Sequence, residues 1–425
     1  MSYPAYSEYE DSEVPWIGQK PKHWQVMKLH HMVRMRSGSS ITSVEMDDDG
    51  DYPVFGGNGV RGRFPEFTHE GDYVLIGRQG AECGNINYAH GKFWASEHAV
   101  VATPDRKLEY RWLGETLRAM NLNQYSQAAA QPGLSVEVIG RLKLPFPPVP
   151  EQRQIAAFLD WKTGQIDALI ARKEELLEKL KEKRIAVITQ AVTKGLNPAA
   201  PMRDSGIPWL GQVPQHWEVL RIASCSTKLT NGYVGPTRDI LTDEGVRYLQ
   251  SLHIKNNTII INRPFFVSEE WSLEHARSIL KEGDVLIVQT GDIGQVAVVT
   301  KEFEGCNCHA LIIVEPERGR LHGPFLSWFL NSNPGSQTLK SIQTGALHPH
   351  LNCTVVHDIQ LPLPQLDEQI AIGNYIDAEV SKIDLMMNKV ESVIDRLTEY
   401  RNALVTAATT GKIDVRGVKI PQLFA

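Results

Sequence analysis

Apolar residues along this chain follow two periods. From Glu151 onward, Ile155, Phe158, Leu159, Ile166, Leu169, Ile170, Leu176, Leu177, Leu180, Val187, Ile188 and Ala191 fall at three- and four-residue steps. Lys173, Glu174, Glu175, Glu178, Lys181 and Glu182 fill the other faces. No proline interrupts the run between Pro150 and Pro198, and Gly164 is its one early weak point. A second run carries Ile372, Tyr375, Ile376, Ile383, Met386, Met387, Val390, Val393, Ile394, Leu397, Leu404 and Ala407. Such spacing over several heptads predicts two long helices that form a coiled coil. At 1.5 Å per residue, about forty residues make a rod of roughly 60 Å. The expected seam holds Ile166, Ile170, Leu177 and Leu180 of the first helix and Ile383, Met387, Ile394 and Leu397 of the second. Each rod closes its own half of the chain, so an antiparallel pair would set the preceding segments at opposite ends. The alternative is that each helix packs only on its own domain.

Residues 30–143 and 224–360 read differently. Short apolar runs at 73–76, 99–102, 285–288, 296–300 and 311–314, bounded by Gly, Asp or Asn, predict strands, and 110–120 and 324–330 predict short helices. Each middle is therefore expected to be a mixed α/β domain.

The two halves repeat each other. SEVPWIGQKPKHWQVMKLH at 12–30 matches SGIPWLGQVPQHWEVLRIA at 205–223 with a shift of 193, keeping two Trp and two Pro in register. LPFPPVPEQRQIAAFLD at 144–160 matches LPLPQLDEQIAIGNYID at 361–377 with a shift of 217. Between these frames the likeness is faint. GDYVLIGRQG at 71–80 faces GDVLIVQTG at 283–291, and Glu97-His98-Ala99-Val100 is expected to face Cys308-His309-Ala310-Leu311. All 24 added residues lie in the second middle. The frame tryptophans Trp16, Trp24, Trp209 and Trp217 read as packing anchors rather than base stackers.

Composition adds boundaries. A chain of 425 residues with 42% hydrophobic and 22% charged content suits two or three globular domains. No apolar run approaches the length of a membrane span, and the polar, acidic first residues do not read as a signal peptide, so a cytoplasmic location is expected. Five scattered cysteines fit a reducing compartment. Cys306-Asn-Cys308-His309 lacks a second ligand pair at zinc-finger spacing, so no metal is expected there. A net charge of −6 is not the footprint of an independent nucleic-acid binder and counts against that role. There is no Glu-x-Lys, no G-x-x-x-x-G-K-[ST] loop and no G-x-G-x-x-G strand–helix turn. Asn262-Arg-Pro-Phe265 is a poor match to an amino-methyltransferase motif and reads as a turn. No Ser/His/Asp or Cys/His set stands out either.

The repeated Pro-Trp…Pro-x-x-Trp opening, the Pro-rich exit ending in Glu-Gln, and the long Ile/Leu-rich helices closing with Thr193-Lys-Gly and Thr409-Thr-Gly resemble, over the whole chain, the specificity subunit of type I restriction–modification enzymes. The resemblance implies an α/β (α+β) fold: two target recognition domains separated by two long helices in an antiparallel coiled coil with an internal pseudo-two-fold. Boundaries are expected at 1–150, 151–197, 198–367 and 368–425. It implies a non-catalytic subunit that binds double-stranded DNA of bipartite sequence, docks two methyltransferase subunits and, through them, restriction subunits. No cofactor is expected on this chain, with S-adenosylmethionine, ATP and Mg on the partners. The competing reading is a non-catalytic two-armed protein-binding scaffold, which the negative charge favours mildly.

If the middles read DNA, certain loops are the candidates. Phe55-Gly-Gly-Asn-Gly-Val-Arg-Gly-Arg63 offers Asn58, Arg61 and Arg63 on a Gly-rich turn that lets the backbone approach a partner, and Arg and Asn can pair bidentately with guanine and adenine edges. Family members often carry a similar Gly-Gly-Asn-Gly segment. The plain alternative is a turn with solvated arginines. Arg78 and Gln79 end a strand, and His98 is either a core histidine or a groove contact. In the second middle the candidates are Tyr233, Thr237 and Arg238, then Gln289, Thr290 and Asp292, then Gln343, Thr344 and His348.

Overall fold

The computed structural model describes residues 3–47, 49–80, 83–126, 133–345 and 349–421. Two compact units emerge, Met1–Glu174 with Ser392–Ala425, and Glu175–Glu391. The division falls inside both long helices, so each unit keeps the start of one helix and the end of the other.

The first unit opens on a two-strand ribbon, Tyr9–Asp11 against Gln19–Pro21. Gly18, at φ 66°, closes the turn between them in a left-handed conformation that glycine adopts without steric cost. Strand Gln25–Lys28 then pairs antiparallel with Lys143–Phe146, 115 or more residues later, closing off the mixed domain between them. Inside lies an antiparallel sheet in the order Val33–Ser37, Ala99–Pro104, Tyr73–Gly77, Ile86–Ala89. A second sheet runs Gly59–Phe64, Tyr52–Gly56, Lys92–Ala95, His69–Glu70, with a parallel pairing at its centre. Helix Tyr110–Ala119 covers the first sheet, and Trp112, Leu113 and Leu117 on it are buried with Trp24, Val74 and Ile76.

The second unit repeats this plan. Ribbon Met202–Asp204 with Gln212–Pro214 turns at Gly211, φ 67°. Strand Glu218–Arg221 pairs with Gln360–Leu363. The main sheet runs Ser226–Asn231, Leu311–Pro316, Val285–Val288, Val296–Val298. Helix Gly323–Asn331 covers it, burying Phe325, Leu326 and Phe329. Two mixed α/β domains of one topology are therefore present, as expected. Register locates the added residues. Val54 and Tyr248, which hold equivalent parallel pairings, are 194 apart, whereas Val74 and Val285 are 211 apart. Seventeen of the 24 thus enter between those strands, as a hairpin at 254–259 and helix Glu269–Glu274.

Helices Val149–Lys194 and Leu366–Thr409 are 46 and 44 residues long. Ile166, Leu180 and Ile383 are buried and Ile170, Leu177, Met387, Ile394 and Leu397 half-buried, while Leu169, Leu176, Met386 and Val393 are exposed. Both units show antiparallel pairing. In the first, Gln154 Nε2 donates to the carbonyls of Val415 and Val418, and Arg401 Nε donates to Asp167 Oδ1 at 2.8 Å. In the second, Arg184 Nε donates to Asp384 Oδ1 at 2.9 Å, and Gly195 faces Glu368. Arg184 and Arg401 sit at seam positions, each satisfied by a carboxylate of the opposite helix.

Residues 410–421 return to the start of the chain. Tyr9 Oη donates to the Gly411 carbonyl at 3.1 Å and Asp414 N to the Pro4 carbonyl at 2.7 Å. Gly411 (φ 76°) lies against Trp24 as Gly195 (φ 73°) lies against Trp217: a Cβ would come within 3.0 and 3.1 Å of the two indoles. Trp24 and Trp217 are the buried anchors expected. Trp16 is half-buried, with Nε1 donating to the Lys143 carbonyl at 3.1 Å, and Trp209 is 41% exposed.

Candidate nucleic-acid interface

Three strand ends and one hairpin tip meet at one edge of the first domain. Strand Tyr73–Gly77 runs out into Arg78, whose backbone N donates to the His98 carbonyl at 2.8 Å and whose carbonyl accepts from Leu134 N at 2.9 Å. Gln79 forms an isolated bridge to Gly133. The Gly57-Asn58 turn packs on this junction: a Cβ on Gly57 would lie in ordinary contact, 3.4 and 3.5 Å from the carbonyl oxygens of Gln79 and His98. Asn58 Oδ1 accepts from Asn85 Nδ2, and Arg78 NH1 donates to Ser37 Oγ at 3.0 Å. His98 Nε2 lies 3.3 Å from Glu97 Oε1. The fold thus gathers Asn58, Arg78, Gln79 and His98. Arg61 is exposed on the returning strand of the hairpin. Arg63 turns away: its Nε and NH2 donate to the carbonyls of Gly50 and Asp51 at 2.5 and 2.6 Å, which ties those two residues to the hairpin.

The corresponding edge of the second domain is built alike. Gly77 and Val288 hold equivalent places beside Ala99 and Leu311, so Gln289 and Thr290 stand where Arg78 and Gln79 do. Gln289 N donates to the Ala310 carbonyl and Ala310 N to the Tyr233 carbonyl at 2.9 Å, while Leu351 N donates to the Gln289 carbonyl at 3.0 Å. Thr290 bridges to His350, which also pairs with Thr344 through both backbone groups at 2.8 and 3.0 Å. Tyr233, Gln289, Thr290 and Thr344 therefore come together. Gln343 is half-buried beside Thr344, and Asp292 is exposed in the turn that follows Thr290. Thr237 and exposed Arg238 lie further along the loop after Tyr233, where the Thr237 carbonyl accepts from Ile240 N at 3.3 Å. His348 lies outside the described residues.

Register corrects one sequence alignment. Ala99 equates with Leu311, not with Ala310, because the first domain spends one more residue between the paired backbones at 95 and 99 than the second does between 308 and 311. The shorter connection forces Ala310 to φ 49°, a left-handed conformation that costs an L-residue roughly 1–2 kcal/mol.

Two features escaped the sequence. Around Tyr233 the added segment builds an aromatic cluster: Trp271 and His275 stack at 3.9 Å, and Tyr233 meets both edge-to-face at 5.1 and 5.2 Å. Tyr248 and His309 complete it, and burial lowers the His309 pKa. No periodicity marks these residues. The other is a set of polar residues at the start of each long helix. Glu151 Oε2 lies 2.9 Å from His23 Nε2, and Glu368 Oε2 lies 2.9 Å from His216 Nε2. Buried Gln152 accepts the Glu109 N–H at 2.9 Å and donates to the Pro147 carbonyl at 2.8 Å. Buried Gln369 accepts the His322 N–H at 2.8 Å and donates to the carbonyls of Arg320 and Pro364. Their only signal was the repeated Glu-Gln.

Among the described residues, no group of three or more His, Cys, Asp and Glu could hold a metal ion, and no helix is long and apolar enough to cross a membrane. Cys306 and Cys308 are buried, and burial pushes the Cys306 thiol up to about 11 and Cys308 higher.

Duplicated α/β domains, each sealed by its flanking frame onto a long helix, define the class of molecule. The chain belongs to the type I restriction modification DNA specificity domain family, whose profile matches residues 21–182 and again 214–395. It is 45% identical to the type I restriction enzyme EcoprrI specificity subunit of Escherichia coli over 136 residues, about a third of each chain (31% and 34%). It is 21% identical to the MjaVIII specificity subunit of Methanocaldococcus jannaschii over 94% of this chain and 95% of that one. A chain solved in work on the complex assembly and conformational transition of the type I R-M system shares the fold at a TM-score of 0.70 and 14% identity, covering 92% of this chain and 98% of its own.

Proposed function

We propose that this chain is the sequence-reading subunit of a type I restriction–modification complex. Each domain reads one half of a bipartite double-stranded DNA target. The long helices set the spacer between halves and dock two methyltransferase subunits, through which restriction subunits join. The chain itself performs no catalysis, and S-adenosylmethionine, ATP and Mg act on its partners, in the cytoplasm. One observation carries the reading: two domains of the same topology present equivalent strand-end edges bearing different base-pairing side chains, Arg78-Gln79 and Gln289-Thr290. Arginine suits guanine and glutamine suits adenine in the major groove, so equivalent edges with different residues suit two different half-sites. The net charge of −6 leaves much of the phosphate contact to the partners. The exposed apolar residues of the long helices, Ile185 at 51% and Leu385 at 55%, supply contact area for docking. Co-expression with a methyltransferase subunit and mapping of methylated adenines tests this. A bipartite motif with a fixed spacer is expected; a chain that supports no sequence-dependent methylation would favour the scaffold reading.

A further inference from the structure

We propose that Gln152 and Gln369 are positioning residues that fix how each recognition domain is set on its helix, and thereby which spacer the protein accepts. This rests on the reader assignment above. Both side chains have no exposed surface, yet both are primary amides. A buried amide is costly unless its groups are paired, and an apolar residue fills such a position at lower cost. What the amide adds is direction. In the second unit Gln369, on the first turn of the long helix, takes the N–H of His322, the residue that caps domain helix Gly323–Asn331, and returns its own N–H groups to Arg320 and Pro364. Two turns further along, Asp377 accepts the indole N–H of Trp328 from the same domain helix at 2.8 Å. The first unit repeats the scheme. Gln152 takes the N–H of Glu109, the cap of helix Tyr110–Ala119, and Asp160 holds Arg111. Domain helix and long helix are thus pinned at two separated points, which restrains the tilt of one along the other.

The geometry makes small errors matter. A tilt of about 10° at such a clamp moves a point about 20 Å away, within a domain of this size, by roughly 3.5 Å. That is about the rise of one base pair, 3.4 Å. A loosened clamp would therefore admit spacers one base pair longer or shorter without altering the bases read.

The test is methylome sequencing of cells carrying this chain with its methyltransferase subunits. For Gln369→Leu, both half-sites are expected to stay unchanged while methylation at spacers one base pair longer or shorter rises at least tenfold over wild type. Trp328→Phe, which loses only the indole N–H, should act in the same direction and carries the test if the first variant does not fold. Asp377→Asn keeps an acceptor for that N–H and should retain the wild-type spacer. Wild-type spacer selectivity in both Gln369→Leu and Trp328→Phe, with only a lower melting temperature, would reduce the clamp to a stabilising role and overturn the proposal. Altered half-site bases would overturn it as well. A wild-type complex with no bipartite motif would instead overturn the reader assignment beneath it.

Discussion

The backbone N–H of Lys281 donates to Asp284 Oδ2 at 2.9 Å, and that bond is the main polar support of a carboxyl only 3% exposed. Burial outweighs it and raises the Asp284 pKa from 3.8 to about 6. The folded state therefore holds this proton more tightly than the unfolded chain does. Stability contributed here is full below about pH 4 and is lost as pH rises through 6. Asp284→Asn, which keeps an acceptor for Lys281, should raise stability by about 1–2 kcal/mol at pH 8 and by much less at pH 5. Urea titrations at the two pH values check this; an equal effect at both would show that ionisation is not the cause.

Ala310 stands at φ 49° beside the candidate edge of the second domain. Glycine there removes the Cβ strain but adds freedom to the unfolded chain. Ala310→Gly should net about 0.5–1 kcal/mol of stability, seen as a higher urea midpoint with an unchanged slope.

Arg78 and Gln289 occupy equivalent positions, so they offer a paired test of reading. Arg78→Gln should change or relax one base of one half-site at a cost of about 1–3 kcal/mol and leave the other half-site intact. Methylated-motif mapping reads both halves at once. A motif and affinity identical to wild type would remove Arg78 from the interface.

Seam and exposed positions of the long helices should separate cleanly. Ile383→Ala, at a residue 1% exposed, should destabilise the protein by about 2–4 kcal/mol. Leu385→Ala, at 55% exposure, should change stability by less than about 0.5 kcal/mol while weakening association with the methyltransferase subunit in a pull-down titration.

Matched heptads inserted after Leu177 and Val390 keep the 3.5-residue seam and lengthen each helix by about 10 Å. Spacers should grow by about three base pairs at 3.4 Å each, with both half-sites preserved. An unchanged spacer in the methylome would end the ruler interpretation.

Much of this architecture was legible because it is periodic or repeated. Two Trp and two Pro in register exposed the duplication, and apolar residues at three- and four-residue steps marked the two long helices. The second sheet of each domain was not legible. Strands such as His69–Glu70, Phe266–Val267 and Asn307–Cys308 are two residues long and carry no alternation to read. The one-residue slip at Ala310 was equally hidden, since only backbone pairing reveals it. At the candidate edges, sequence chemistry picked Asn58, Arg78 and Gln79, which the fold brings together. It also picked Arg63, whose guanidinium the fold spends on its own loop. Gln152 and Gln369 were passed over because a polar residue at a helix start ordinarily faces water.

The clamp has a consequence for inheritance. Gln152 and Gln369 grip main-chain N–H and carbonyl groups of the domains, at Glu109, Arg320 and His322, and main chain is the same whatever the side chain. At these grips the clamp makes few demands on side-chain identity, and only its second point asks for particular residues, Arg111 and Trp328. A block of gene exchanged between two fixed borders would therefore bring a joint that fits on arrival, provided those two side chains travel with it.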